Sequence, residues 1–269
     1  MNAPATIAGL KFEQVTGAGG AIAHGVPVTG PADEVTAEKL RHALHDYGVL
    51  YFDFPETMGV GEFDRFVQWV GEPEDGYALT MKEQTEGVYI DSDQVPMKSA
   101  RINWFHTDGA CMELPPQAAA LTPFKLPPVG GDTMFASMYA AWEGLSSKYQ
   151  NLIEGLDAQN GCMRLPFLKQ SPSAVHPMVC KDPVTGRKFL FVNANYTESV
   201  VGMSQRESDS LLDMLFAHIN TPEFHIRRPW RLGTVAVWEE RVCQHRGVAD
   251  FTGPRKLRRI TFKGVPPAR

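Results

Sequence analysis

The sequence has little cysteine and no long apolar run, and each absence excludes a class of protein. Four cysteines in 269 residues are too few for a disulfide scaffold. No two of them have the C-x-x-C spacing of a zinc knuckle or a redox pair, so we expect reduced thiols. No apolar stretch reaches the roughly 18 residues of a membrane-spanning helix, so no membrane partner is expected. The first ten residues lack the pattern of a signal peptide, which predicts a cytoplasmic location.

An excess of positive charge is also absent. The chain has 26 basic and 31 acidic residues and a net charge of −5, which gives no broad attraction to nucleic acid, and no nucleic-acid partner is predicted. Basic residues do cluster at 227–231 and 255–259, which is compatible with a local anion site. With 43% apolar and 21% charged residues, the composition is that of an ordinary globular protein. The length predicts a single domain over residues 1–269.

Hydrophobic periodicity predicts many short strands and a few helices. Apolar residues at helical spacing predict helices at 36–47, with Thr36 as N-cap, and at 61–71, 134–155 and 204–219. Runs of β-branched and aromatic residues predict strands at 49–54, 189–193, 234–238 and 257–262. The irregular polar segment 72–100 predicts a lid over a site. The sum predicts an α+β protein, mainly β, with a β-sandwich or jelly-roll core.

The first chemical signal is Trp104-Phe105-His106-Thr107-Asp108. On a strand, His106 and Asp108 would point to the same face because side chains alternate. An H-x-D triplet is frequent by chance, and its ordinary interpretation is a hydrogen-bonded pair. His245 lies far downstream, so only the folded chain can add it as a third ligand. Two histidines and one carboxylate leave open positions on a metal, which is typical of iron(II) oxygenases.

The second signal concerns carboxylate binding. Gly-Gly-Asp-Thr at 130–133 predicts a tight turn, but the Thr133 hydroxyl can also donate to a carboxylate. Arg255 offers a bidentate grip on the same group. On a strand, Arg255 and Arg259 share a face, so both can point into one cavity. The alternative is a solvated basic stripe.

The order of these motifs resembles a known family. H-x-D, G-G-D-T, W-x-x-R…H and R-x-x-x-R follow one another as in the taurine dioxygenase / 2,4-dichlorophenoxyacetate dioxygenase family of 2-oxoglutarate-dependent oxygenases. The stretch 130–156 and the residues 264–269 look closest to its aryloxyalkanoate dioxygenase branch. The resemblance covers the chain from about residue 49 onward. It implies a double-stranded β-helix (jelly roll) with flanking helices, and iron(II), 2-oxoglutarate and O2 as cofactor and co-substrates.

The resemblance also implies a role for particular residues. The iron ligands and catalytic centre would be His106, Asp108 and His245; the co-substrate would meet Thr133, Arg255 and Trp238; Arg259 would meet an anionic group of the prime substrate. Tyr77, Asn193 and Arg164 are further candidates for the substrate wall. The sequence departs from the family at Glu239-Glu240, where members commonly have Asp-Asn, and at Phe105, which separates Trp104 from His106.

The implied activity is hydroxylation of a small anionic molecule, with C–O or C–S cleavage as a variant, and release of succinate and CO2. A homo-oligomer is expected. Desaturation or ring formation on the same scaffold and a non-catalytic β-sandwich binding protein stay open as alternatives. Halogenation is disfavoured because Asp108 is present. We expect Arg259 to be buried and unpaired until an anionic substrate binds; the alternative is a salt bridge to an internal acid such as Glu239 or Glu240.

Overall fold

Strands predominate in the computed structural model, which describes residues 6–7, 10–26, 34–74, 89–92, 104–163 and 171–269. The strands are β1 Thr6–Ile7, β2 Leu10–Thr16, β3 Gly19–His24, β4 Val49–Asp53, β5 Pro73–Glu74, β6 Tyr89–Asp91, β7 Ala118–Lys125, β8 Thr133–Ser137, β9 Asp157–Asn160, β10 Ala174–Pro177, β11 Val179–Lys181, β12 Lys188–Leu190, β13 Thr197–Val200, β14 His225–Arg227, β15 Thr234–Glu239, β16 Cys243–Gly247 and β17 Lys256–Phe262. The helices are α1 Glu34–Tyr47, α2 Val60–Val67, α3 Met138–Glu143, α4 Ser147–Ile153 and α5 Gln205–Ile219, with a 3-10 turn at Pro222–Phe224.

Two sheets build the centre of the molecule. The large sheet has nine strands in the order β1-β2-β3-β4-β15-β7-β17-β5, with β6 also paired to β17. The small sheet has the order β14-β8-β16. A cluster of buried side chains from both sheets lies between them, with Val49, Tyr51, Ala119, Leu121, Ala236, Trp238 and Leu257 on the large sheet and Phe135, Ile226 and Cys243 on the small one. The sheets therefore pack face to face, and the functional motifs lie at this interface.

Helices cover the outer faces of the two sheets. Leu40 and Leu44 of α1 and Phe63 and Phe66 of α2 belong to the apolar cluster on the outer face of the large sheet. Residues of α3 and α5 belong to the cluster beyond the small sheet. The architecture is a mostly-sheet α+β fold, as predicted. No described helix is long and apolar enough to cross a membrane.

The predicted helix at 134–155 is wrong in its first part. Met134 to Ser137 belong to β8, which pairs in antiparallel register with both β14 and β16. The helical part begins at Met138, and α3 ends at a C-cap on Gly144 before α4 starts. Short apolar runs fit a strand and a helix equally well, so periodicity alone cannot separate them.

Other boundaries differ by a few residues. Helix α1 begins at Glu34, so Thr36 lies inside it and is not its N-cap. Helix α2 ends at Val67, earlier than predicted. The N-cap at Ser204 is confirmed, since the backbone N–H and hydroxyl of Ser204 donate to Glu207 at 2.9 and 2.7 Å. Of the predicted lid at 72–100, only 72–74 and 89–92 are described, and there β5 and β6 pair with β17.

Candidate active site

Two histidines are fixed side by side by a backbone bridge. The His106 N–H donates to the His245 carbonyl at 3.0 Å, and the His245 N–H donates back to the His106 carbonyl at 2.9 Å. This single bridge places the edge of the segment 104–106 against β16. The two imidazole centroids are 4.4 Å apart. His106 and His245 are far apart in the sequence, and this one antiparallel backbone pair brings them together.

Asp108 completes the cluster from a turn and not from a strand. Its backbone N–H donates to Oε2 of Glu240 at 3.0 Å, and the neighbouring Thr107 hydroxyl donates to the Glu240 carbonyl at 3.0 Å. One ligand atom from each of His106, Asp108 and His245 lies within 4.8 Å of the others, and all three residues are buried. The prediction that the three meet in space is confirmed. The alternation of side chains along a strand does not explain their meeting, because His106 forms an isolated bridge and Asp108 lies in a turn.

The protonation of the cluster suits a divalent metal. Burial, opposed by the Asp108 charge, lowers the pKa of His106, and burial together with His106 lowers that of His245 to about 3. Burial alone would raise the pKa of Asp108, but the positive charge of Arg259 holds it below its usual value. Neutral imidazoles and an ionised carboxylate are the forms that bind metal. The donor set therefore fits iron(II).

The orientation of His106 is set by the backbone. Its Nδ1–H donates to the Trp104 carbonyl at 2.7 Å, and Nε2 lies 3.6 Å from Oδ1 of Asp108. Since a neutral imidazole carries one hydrogen, this bond leaves the Nε2 lone pair facing the cluster. Nδ1 of His245 is buried without a hydrogen-bond partner among the described residues.

Arg259 lies at the cluster but is not unpaired. From β17, its Nη1 donates to Oδ2 of Asp108 at 2.9 Å, and its side chain is 19% exposed. The prediction of a buried, unpaired Arg259 is therefore wrong. The alternative, a salt bridge to an internal acid, is confirmed, with Asp108 as that acid. Of the two acids named as examples, Glu239 forms an ion pair with Arg241 at 2.8 Å and Glu240 accepts from the Asp108 backbone.

Glu240 is a buried acid beside a carboxylate. Burial and then the negative charge of Asp108 raise its pKa well above the usual value. Its Oε1 has no hydrogen-bond partner among the described residues. Both effects on the pKa favour the uncharged acid, which can donate as well as accept a hydrogen bond.

A second pocket lies at the start of β8. Arg255 Nε donates to the Gly131 carbonyl at 2.6 Å, and its Nη2 lies 3.5 Å from the Thr133 hydroxyl. Trp230 Nε1 donates to the same hydroxyl at 3.2 Å. Because two N–H groups already point at the Thr133 oxygen, its own hydrogen is directed elsewhere. The structure brings Thr133 and Arg255 together, and it adds Trp230, which no sequence pattern had indicated.

The charge of Arg255 is incompletely compensated. The residue is 2% exposed, and burial lowers its pKa to about 10, which Asp132 only partly offsets. Asp132 itself is engaged by Arg227 at 2.8 Å. No carboxylate lies within ion-pair distance of Arg255 in the described part of the chain. A buried cation of this kind favours a bound anion.

The remaining predicted residues have different outcomes. Trp238 lies on β15 with its ring centroid 4.7 Å from that of His245, so it forms the wall behind the metal cluster. Asn193 instead closes a turn, where its Oδ1 accepts from the backbone of Asn195 and Tyr196. A substrate contact for Asn193 stays a prediction. Tyr77 and Arg164 lie outside the described residues.

Comparison with known proteins agrees with this site. The family model "Taurine catabolism dioxygenase TauD, TfdA family" matches residues 11–261. An alkylsulfatase of Acinetobacter baylyi is 28% identical, with 95% of this chain and 85% of that protein covered. An alpha-ketoglutarate-dependent sulfate ester dioxygenase of Pseudomonas putida is 27% identical, with 96% and 91% covered. The crystal structure of a taurine dioxygenase from Burkholderia xenovorans superposes with a TM-score of 0.81 at 28% identity, covering 96% and 92%.

Proposed function

The chain belongs to the TauD/TfdA family of 2-oxoglutarate-dependent dioxygenases, and from this premise we propose that it oxidises a small organic anion at iron(II) held by His106, Asp108 and His245. Family members use iron(II), 2-oxoglutarate and O2. When bound, iron(II) and 2-oxoglutarate supply the reduction of O2 and the power to attack an unactivated C–H bond, with succinate and CO2 as co-products.

The observation that carries the proposal is the metal cluster itself. Two neutral imidazoles and one ionised carboxylate converge in a buried site. Three protein ligands on one side leave positions open for a chelating co-substrate and for O2. The Trp104 carbonyl and Glu240 hold His106 and Asp108 in place. Such anchoring keeps the ligand geometry before metal arrives.

The second pocket would hold the far carboxylate of 2-oxoglutarate. Arg255 supplies the positive charge and Thr133 a hydroxyl hydrogen that its neighbours leave available. Trp230 fixes the hydroxyl, and Gly131 fixes the guanidinium. Trp238 excludes water from the side of His245. These residues bind and orient the co-substrate without exchanging protons with it.

Arg259 would bind the anionic group of the prime substrate. Its Nη1 donates to Asp108. With a metal cation held by Asp108, the carboxylate would already be neutralised and its attraction for Arg259 would be weaker. Arg259 would then have donors for a sulfate ester, sulfonate or carboxylate. The names of the relatives, an alkylsulfatase and a sulfate ester dioxygenase, support this substrate class.

Membership of this family also supports a proposal about the fold and the domain organisation. We propose that the two facing sheets form a double-stranded β-helix and that residues 1–269 are one domain. The segment 72–100 would be the lid, with β5 and β6 as its attachments to β17.

The test is substrate-dependent succinate release. The iron-loaded enzyme should release succinate faster with at least one member of a panel of alkyl sulfates, alkyl sulfonates and aryloxyacetates. Arg259→Gln should lose activity on that anion while its neutral ester or amide analogue reacts equally poorly with both enzymes. If the wild type accepts neutral analogues as readily as anions, the anionic-substrate proposal fails. If the iron-loaded enzyme releases no succinate from 2-oxoglutarate, with or without the compounds of the panel, the assigned chemistry fails.

A further inference from the structure

Glu240 lies in the turn between β15 and β16, the strand that carries His245. Its side chain is fully buried. Its backbone N–H donates to the Gln117 carbonyl at 2.9 Å, and its carbonyl accepts from the Thr107 hydroxyl at 3.0 Å. These two bonds fix the point from which the Glu240 side chain projects.

The carboxyl group of Glu240 lies next to two of the three residues of the metal cluster. Its Oε2 accepts from the Asp108 backbone N–H at 3.0 Å. The same oxygen lies 3.7 Å from Nδ1 of His245. One oxygen atom thus faces both the main chain of the carboxylate ligand and the ring of a histidine ligand.

Two polar atoms at this contact are buried without a hydrogen-bond partner among the described residues, Nδ1 of His245 and Oε1 of Glu240. An unpaired buried polar atom is destabilising. A ring N–H is a donor and a carboxyl oxygen is an acceptor, so each group can supply what the other lacks. The 3.7 Å separation exceeds the roughly 3.2 Å of an ordinary N–H···O bond, and a movement of about 0.5 Å would close it.

Metal binding would make the ring nitrogen that faces Glu240 a donor. Nδ1 of His245 lies towards Glu240, which leaves Nε2 as the nitrogen for the metal. Because a neutral imidazole carries one hydrogen, a metal on Nε2 requires that hydrogen on Nδ1. Metal-binding histidines usually donate it to a carboxylate or a carbonyl. His106 has the Trp104 carbonyl for this purpose, and Glu240 is placed to serve His245 in the same way.

We propose that Glu240 is a positioning residue for the metal centre, whose carboxyl group accepts hydrogen bonds from the Asp108 backbone and from Nδ1–H of His245 and so orients two ligands at once. The inference rests on the proposed function, because it takes the cluster to be a metal site. A single buried group that orients two ligands reduces the freedom that metal binding would otherwise have to remove.

The first measurement is a proton and nitrogen-15 NMR spectrum of the full chain with labelled histidine, loaded with Zn(II) as a diamagnetic substitute for iron. The rings that bind the metal are identified by the shift of their nitrogen signals during the Zn(II) titration. The wild type should show a slowly exchanging Nδ1–H signal for both His106 and His245. Glu240→Leu should lose only the His245 signal, and Glu240→Gln, which keeps an acceptor oxygen, should retain both.

The second measurement is the dissociation constant for Zn(II). Glu240→Leu should raise it at least tenfold, as loss of a ligand's hydrogen-bond partner commonly does, and Glu240→Gln should restore it. Thr122→Val is the matched control, because the buried Thr122 hydroxyl donates to the Thr234 carbonyl at 3.1 Å within the same large sheet. Thr122 follows Leu121 of the cluster between the sheets, so its side chain points to the opposite face. The control should lose stability and keep the wild-type Zn(II) affinity.

The outcomes separate this inference from the proposed function. A wild type without a protected His245 Nδ1–H signal would overturn the role of Glu240 and leave the metal site in place. So would a Glu240→Leu variant that keeps either that signal or the wild-type Zn(II) affinity, or an equal loss of affinity in Thr122→Val. If Glu240→Leu does not fold, the wild-type spectrum decides. A wild type that binds no Zn(II) would overturn the proposed metal site itself.

Discussion

At the scale of single residues, the two arginines of the site differ in whether a carboxylate neutralises them. Arg255 and Arg259 are four residues apart on the chain, yet their surroundings differ. Arg259 has the carboxylate of Asp108 as a partner, whereas Arg255 contacts the Gly131 carbonyl and the Thr133 hydroxyl and no carboxylate among the described residues. Only Arg255 is therefore ready to accept a carboxylate without first giving up an ion pair.

Replacing Arg255 with Leu should raise the 2-oxoglutarate concentration needed for half-maximal turnover. The prime-substrate concentration needed for half-maximal turnover should rise far less. A charge-assisted hydrogen bond contributes about 1.5–3 kcal/mol, so the increase should exceed roughly tenfold. Steady-state succinate release measures it. Arg258→Leu is the control, because Arg258 forms an ion pair with Asp64 at 2.6 Å on the other side of the same strand. An unchanged 2-oxoglutarate requirement in Arg255→Leu would transfer the role to another residue.

Glu240 gives a prediction about pH. Its folded-state pKa lies well above the usual 4.5, so the folded protein retains a proton that the unfolded chain releases. Stability from this group is present below about pH 4.5 and is lost as the pH rises. Glu240→Gln removes the ionisable group and keeps its hydrogen bonds. The variant should unfold at higher denaturant concentration than the wild type at pH 8, and the difference should shrink at pH 5. An equal difference at both pH values would show that Glu240 is ionised in the folded protein.

At the scale of elements, the turn before β8 positions Arg255, the residue that would bind the far carboxylate of 2-oxoglutarate. Gly131 has φ +74°, and a Cβ there would lie 3.1 Å from Cδ of Arg255 and 3.1 Å from Pro127. Gly131→Ala should therefore displace Arg255 and raise the 2-oxoglutarate requirement severalfold, in addition to a backbone cost of about 1–2 kcal/mol.

The matched control is Gly253→Ala. Gly253 has φ +97°, but a Cβ there would contact nothing within 4 Å. It should lose comparable stability in denaturant unfolding and keep the wild-type 2-oxoglutarate requirement. If both variants alter that requirement equally, the effect comes from general destabilisation and not from contact with Arg255.

The elements also differ in whether they could be predicted from the sequence. The strands at 234–238 and 257–262 could be predicted because β-branched and aromatic residues are concentrated there. The metal residues could be predicted because the order of their motifs resembles that of a known family. Strand β8 could not, since its five residues find their state only through pairing with β14 and β16. The Arg259–Asp108 ion pair could not be predicted either, because no local sequence pattern indicates which acid from a distant turn lies next to β17.

At the scale of the whole molecule, folding should not require the metal. The apolar clusters between and outside the sheets contain none of the three metal-binding residues, and the Asp108 carboxylate has Arg259 as an ion-pair partner. Chelator-treated protein should keep its far-UV circular dichroism. Added Mn(II) or Fe(II) should then raise the melting temperature by several degrees, because a ligand at about 100 times its dissociation constant contributes about 2.7 kcal/mol.

Asp108→Ala should abolish this metal-dependent shift together with turnover. Asp64→Ala removes an exposed acid paired with Arg258 and should retain both. A normal shift in Asp108→Ala would contradict the assignment of Asp108 as a ligand.

The strand order of the large sheet determines when the sheet can be completed during synthesis of the chain. Strand β15 lies between β4 and β7, and β17 lies between β7 and β5, so the middle of the sheet is filled by the last strands to leave the ribosome. At about 5–20 residues per second, His245 emerges roughly 7–27 seconds after Asp108. A nascent chain that ends before β16 therefore has His106 and Asp108 but lacks the third residue of the cluster. The three-residue site can form only after most of the large sheet has been synthesised.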